Sequence, residues 1–329
     1  MKSYYSNGKL LLTGEYVVLD GALSLAVPTK YGQSLGIETI NEPKLLWTSL
    51  DENGVAWFEE EFTLNNNEIT TLRLRSVQAN QTPRNDVSER LIQILNIAKQ
   101  LNPDFLNSET GFKVTTKLDF PKNWGLGTSS TLINNIAQWA QVDSYLLLEK
   151  TFGGSGYDIA CAQNNTSITY QLLSNEMLKH TSSTLSTGVQ HDVTRTIKNI
   201  IFNPSFKDQL YFIHLNKKQN SRDGIAHYNA KKGNSNIAIN QISDITSKVI
   251  TCNSLNDFEI LITEHEQLIS NLTKQIPVKD LLFKDFKGSI KSLGAWGGDF
   301  ILVASKENPK PYFIKKGYNT IIPYKDMVL

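Results

Sequence analysis

Between residues 112 and 140 the chain passes from a half-buried strand through a glycine-rich turn into an amphipathic helix, and this junction narrows the folds open to it more than any other stretch. Phe112, Val114, Thr116, Leu118 and Phe120 alternate with Lys113, Thr115, Lys117 and Asp119, the two-residue period of a strand with one wet face. The strand runs straight into PKNWGLGTSST (121–131), after which Leu132, Ile133, Ile136, Ala137 and Ala140 mark the inner face of a helix. The first turn of such a helix offers unused backbone N–H groups and the positive end of the dipole, and a glycine without a Cβ lets a phosphate come close. Gly125, Leu126, Gly127, Thr128, Ser129 and Ser130 therefore form a candidate phosphate loop. It is neither the GxxxxGK[ST] nor the GxGxxG pattern, and an ordinary glycine turn with a Ser or Thr cap is the alternative reading.

Charge agrees with local capture of an anion. Lys plus Arg number 33 against 32 Asp plus Glu among 329 residues, a formal charge of +1, which supplies no bulk field for nucleic acid or an acidic membrane face. Cys161 and Cys252 make no CxxC or Cys/His cluster, and His180, His191, His214, His227 and His265 are scattered without ligand spacing, so any metal must be held by oxygen. No apolar run approaches the roughly 18 residues of a membrane span, and MKSYYSNGKLLLTGEY breaks up its apolar residues before a signal core could form. A soluble, unprocessed, cytoplasmic protein is expected. Periodicity predicts strands over 8–19, 32–40 and 209–216, and a strand pair within 44–64 about Asp51, Asn53 and Gly54. It also predicts helices over 87–101 (capped by Asn85 or Asp86), 221–232, 235–250 and 254–274, then a run of strands over 288–324. The class is α+β.

Three further blocks accompany GLGTSST: SNGKLLLTGEYVVLDG (6–21), GGSGYDIA (153–160) and KSLGAWGGDFILV (291–303). Together, and in this order, the four blocks resemble the motifs of the GHMP kinases, the superfamily of galactokinase, homoserine kinase, mevalonate kinase and phosphomevalonate kinase. The middle block is similar to the bacterial group named for its GYDIA signature. The resemblance spans the whole chain and implies a two-lobed α+β fold. Residues 1–187 would form an ATP-binding and catalytic domain that is ribosomal protein S5 domain 2-like, and residues 188–329 a ferredoxin-like C-terminal domain, with the boundary in the Ser/Thr-rich stretch 181–194.

Roles follow from the resemblance residue by residue. Asp158 aligns with the carboxylate that takes or orients the acceptor's proton, and Lys9 with the lysine that keeps it ionised and stabilises developing charge; alone, Lys9 reads as a solvated strand residue. Gly125 to Ser130 would wrap the phosphates of ATP, and Ser129 would help hold Mg²⁺. The second metal ligand would be Glu149, nine residues before Asp158, for which a surface glutamate is the alternative. Glu15, Tyr16, Ser155, Gly156, Gly294, Ala295, Gly297 and Gly298 would surround a small-molecule acceptor, with Trp296 standing where a glycine is usual. Tyr16 in GEYVVLDG and the cations of LNKKQNSRDGI (Lys217, Lys218 and Arg222, with Ser221) resemble the phosphomevalonate kinase form, although such a run also reads as a solvated helix start. The implied activity is transfer of the γ-phosphoryl of Mg·ATP to an anionic metabolite, phosphomevalonate first, by a monomer or homodimer. Mevalonate kinase, another sugar or amino-acid kinase, the related diphosphomevalonate decarboxylase and a catalytically silent nucleotide-binding sensor are the alternatives.

Overall fold

The computed structural model describes residues 1–64, 69–71, 82–107, 110–173, 194–233 and 235–329. The chain forms two compact units, the first comprising residues 1–8, 31–122 and 126–163, the second 9–30, 123–125 and 164–329. The boundary expected after residue 187 lies outside the described residues, as do His180 and His191. Two long strands, β1 (Lys2–Thr13) and β2 (Ser24–Ile40), pair with each other.

In the first unit, alternating residues build a sheet. β3 (Lys44–Leu50) and β4 (Ala56–Leu64) form the expected antiparallel pair, joined by a turn in which Asp51 Oδ1 accepts from Asn53 N and Val55 N. β5 (Ile69–Thr71) extends it beyond β4, β6 (Gly111–Leu118) lies parallel to β3, and the Gln33–Ile40 stretch of β2 pairs antiparallel with β6. Leu35, Leu45, Trp47, Phe58, Phe62 and Val114 share one buried core with helices α1 (Thr82–Leu101), α2 (Thr128–Ala140), α3 (Ser144–Thr151) and α4 (Tyr157–Gln163). Removing that much apolar surface from water, at roughly 25 cal/mol per Å², is what holds the layer. α1 begins earlier than its apolar spacing indicates, so Asp86 is no cap; it pairs with Arg90 one turn on, at 2.8 Å.

The second unit contains the Ser24–Ala26 end of β2, which pairs with β7 (Ile168–Leu173), itself paired with β8 (Thr194–Asn199). That remote partner explains why β2 starts at Ser24 rather than at residue 32. A second sheet holds β9 (Leu210–His214), β10 (Ser289–Ser292), β11 (Phe300–Ala304) and β12 (Ile321–Pro323) in the order β10-β11-β9-β12, all antiparallel. Between β9 and β10 run α5 (Ser221–Lys231), α6 (Asn236–Thr251), α7 (Leu255–Thr273) and α8 (Val278–Leu282); α9 (Lys310–Lys315) separates β11 from β12, and α10 (Tyr324–Met327) follows. This is the β-α-β-β-α-β order of a ferredoxin-like domain.

Two expectations are corrected. The strand read over 8–19 ends at Thr13, because Gly14 and Tyr16 take φ of 92° and 62°, and Val17–Asp20 closes into a 3₁₀ turn. The strand run over 288–324 is interrupted by α9, where Asn308 Oδ1 accepts from Lys310 N and Phe313 enters the core beside Phe283 and Phe286. Among the described residues no helix is long and apolar enough to cross a membrane.

Candidate active site

In the first unit the glycine-rich turn delivers a helix start open at its backbone. Gly127 is the N-cap of α2 with φ 97°, a left-handed value at which a side chain would be strained, and no side chain caps the first turn. The first turn carries no acidic residue, so nothing opposes the positive end of the dipole. Thr128 is half-buried and Ser129 exposed, whereas Ser130 is buried and its Oγ donates to Gly127 O at 2.9 Å. Leu126 is buried in full.

Of the expected inner face of α2, Ile133, Ile136, Ala137 and Ala140 are buried and Leu132 is half-buried against the same core, but Thr131, Asn134 and Asn135 are buried as well. Thr131 Oγ1 donates to Gln33 Oε1 at 2.7 Å, Asn135 Nδ2 to Gln33 O at 2.9 Å, and Ser6 Oγ to Asn135 Oδ1 at 2.7 Å. Asn134 Nδ2 donates to Ser6 Oγ, while Asn134 Oδ1 accepts from Ser144 Oγ and Gln163 Nε2, each at 2.9 Å. Buried amides and hydroxyls must be matched, so this network allows α2 one seating. Gln163 closes α4, whose first turn carries Asp158, and so ties the carboxylate's helix to the same frame. Asp158 is half-buried in the first turn of α4, following Ser155 and Gly156, both buried. Glu149 is exposed on α3. Among the described residues no three His, Cys, Asp or Glu side chains gather as a metal cluster.

In the second unit Lys9, half-buried on β1, donates from Nζ to Gly125 O at 3.2 Å. Glu15 is turned inward, 1% exposed, with Lys291 Nζ 2.5 Å from its Oε1. Lys291 also stands 3.6 Å from Glu266 Oε1, Ser292 Oγ donates to Glu266 Oε2 at 2.7 Å, and Gly14 N donates to His265 Nε2 at 2.9 Å. Burial raises the Glu15 carboxyl above its ordinary range against the pull of Lys291, and raises Glu266 to about 7. Burial and the Lys291 charge keep His265 well below its usual value, so its imidazole is neutral. Spacing alone did not single out Lys291, Glu266 or His265, since each meets its partner only after distant segments fold together.

Tyr16 stacks on Tyr228 at 5.4 Å between ring centres, and Trp296 (φ 46°) is buried in the same cluster. Tyr228 Oη donates to Asp20 Oδ2 at 2.5 Å, and Lys232 reaches Asp20 Oδ1 at 2.6 Å. The hydroxyl of Tyr16 is pushed well above its usual value by burial and then by Glu15. The GAWGGD block, Gly294 to Asp299, forms the loop between β10 and β11, a hairpin in which Ser292 faces Ile301; Ala295 in it is buried. Lys217, Lys218 and Arg222 are exposed around the start of α5, whose N-cap is Asn220; the Ser221 side chain lies outside the described residues.

No protein-family model and no curated protein sequence matches the chain. Solved structures do. Mevalonate kinase from Methanococcus jannaschii aligns with a TM-score of 0.64 at 16% identity, over 98% of this chain and 96% of that one. Phosphomevalonate kinase from Streptococcus pneumoniae, solved with phosphomevalonate and AMPPNP, aligns with a TM-score of 0.63 at 18% identity, over 96% and 95%. Galactokinase from Lactococcus lactis, solved with galactose, gives 0.60 at 11% identity, over 95% and 88%. The β-α-β-β-α-β sheet, the first-unit sheet with its four helices and these near-complete alignments agree: the chain has the GHMP kinase fold.

Proposed function

We propose that this chain is a small-molecule kinase that transfers the γ-phosphoryl of ATP to an oxygen of an anionic acceptor, with phosphomevalonate the acceptor its sequence favours. The observation that carries the reading is the α2 start: a left-handed glycine, an uncapped first turn and a rigid polar seat below it. Those features fit phosphate oxygens, and exposed Ser129 and Glu149 supply the hard oxygens that suit Mg²⁺. Mg·ATP, when bound, supplies the phosphoryl group and neutralises charge on its oxygens.

The chain's own residues do the rest. Gly127 and the first turn of α2 orient the phosphates. Asp158 accepts the proton of the attacking hydroxyl, and Lys9 stabilises negative charge as it builds on the transferred group. Lys217, Lys218 and Arg222 favour an acceptor that already carries a phosphate or carboxylate, and Tyr16 in the GEY block points to the phosphomevalonate form. An ADP-release assay with phosphomevalonate, mevalonate, homoserine and galactose tests the acceptor. Asp158→Asn should lower kcat by about 10²- to 10⁴-fold while an ATP analogue still binds; undiminished turnover would remove Asp158 from the chemistry. Silence of the wild type across the panel would favour the nucleotide-binding sensor.

A further inference from the structure

We propose that Asp299, the last residue of the GAWGGD block, is a positioning residue that holds Lys9 and the Asn123–Gly125 backbone in one frame; this rests on the kinase reading of the same loop. Its side chain sits where a carboxylate is hard to keep. Asp299 is 8% exposed and has φ 51°, a backbone that glycine would adopt without strain. Burial raises its carboxyl above the ordinary range, and Lys9, the Gln219 N–H, Lys218 and His214 act against that rise.

The surroundings explain what the carboxylate does. Asp299 N donates to Lys217 O at 2.7 Å, and Asp299 O accepts from Leu215 N at 2.8 Å, so the residue is stitched to the loop after β9 by its backbone. Its Oδ1 faces Gln219 N at 3.4 Å. A Cβ on Gly125 would run into the carboxylate, so glycine there is what lets the loop lie against Asp299. The same Gly125 offers its carbonyl to Lys9 Nζ at 3.2 Å. His214, 3% exposed, sits on the other side of this turn, with Nε2 3.1 Å from Asn123 O and its ring beside Trp124 and Phe300. One negative charge thus stands among Lys9, Lys218 and His214 and against the backbone that Lys9 grips. Without it, the attraction between this carboxylate and Lys9 is lost. Asp299 touches no reacting atom; it acts through Lys9.

The test uses Asp299→Asn, which keeps the shape and tolerates the left-handed backbone, with Lys9→Met and the double variant. Expected are a fall in kcat on the order of 10²-fold for Asp299→Asn, a small change in KM for ATP, and melting temperatures that are not additive across the three variants. An additive cycle overturns the proposal whatever the kinetics, and so does a wild-type kcat in Asp299→Asn. Should the wild type release no ADP with any acceptor, the kinase reading fails instead, and the thermal cycle alone upholds or overturns the hold on Lys9. Asp299→Gly separates fold from charge: it should unfold at or above the wild-type temperature yet share the kcat loss.

Discussion

Two buried polar clusters lie near the glycine-rich blocks, one in each unit, and they use opposite chemistry. Under α2 the groups are neutral: Ser6, Gln33, Thr131, Asn134, Asn135, Ser144 and Gln163 match donor to acceptor, and none of their buried side-chain atoms is left without a hydrogen bond. Around Lys291 the groups are ionisable, and Glu15 Oε2, Glu266 Oε1 and His265 Nδ1 are buried with no hydrogen bond. A matched neutral network fixes geometry at any ordinary pH, whereas a buried ionic one makes stability depend on every proton it holds. The first seats α2 and its glycine-rich start. The second pins Glu15, in the first motif block, to Lys291, 276 positions further along the chain at the head of the last block.

This contrast can be broken experimentally. Lys291→Met should have the largest effect, since it strands the Glu15 carboxylate in an apolar interior; about 3–5 kcal/mol of unfolding free energy is expected, measured by denaturant titration. A loss no greater than that of a neutral-network variant would erase the difference between the clusters. Asn134→Ala comes next. It takes the acceptor from buried Ser144 and the donor from buried Ser6 and should cost about 1–3 kcal/mol, by the same amount at pH 6 as at pH 8, because nothing in that network titrates there.

Glu266→Gln sharpens the comparison through pH and has the smallest effect at any one pH. The folded chain holds the Glu266 proton up to about 7, against 4.5 ordinarily. Folding therefore gains most from this group below its ordinary value and loses that gain as pH rises toward 7. His265 works in the other direction: kept neutral, it weakens the fold as pH falls below its ordinary 6.5. The two slopes offset each other in the wild type. In Glu266→Gln the Glu266 slope is removed while those of Glu15 and His265 remain, so stability should fall less, or climb more, with pH between about 5 and 7 than in the wild type, the slope changing by at most about 1.4 kcal/mol per pH unit. Unchanged slopes in stability measured across that range would count against a proton on Glu266.

The elements with strong local periodicity were legible. The strand Gly111–Leu118, the helix Thr128–Ala140 with its apolar face, the pair within 44–64 and, within the run 288–324, the strands Ser289–Ser292 and Phe300–Ala304 all stand close to where spacing put them. The helix Lys310–Lys315 was not, because six residues are too few to display a period and its stability comes from Phe313 in a distant core. Asn134 and Asn135 read as wet positions of an amphipathic helix, and nothing nearby in the sequence announces Ser6, Gln33 and Gln163 as their partners. Lys291 and Asp299 look like the edges of a glycine motif, and Glu266 like one more charge on a polar helix face.

By itself the sequence determined the α+β class, the glycine-rich helix start and the order of the four blocks, because these depend on backbone sterics and on side-chain periods within a few residues. Only the tertiary structure decided that Glu15 faces inward onto Lys291, that Tyr16, Tyr228 and Trp296 share one cluster, and that Asp299 lies against Gly125. The reason is physical. The state of a charge or hydroxyl is set by what desolvates it and what pairs with it, and here both come from residues up to hundreds of positions away.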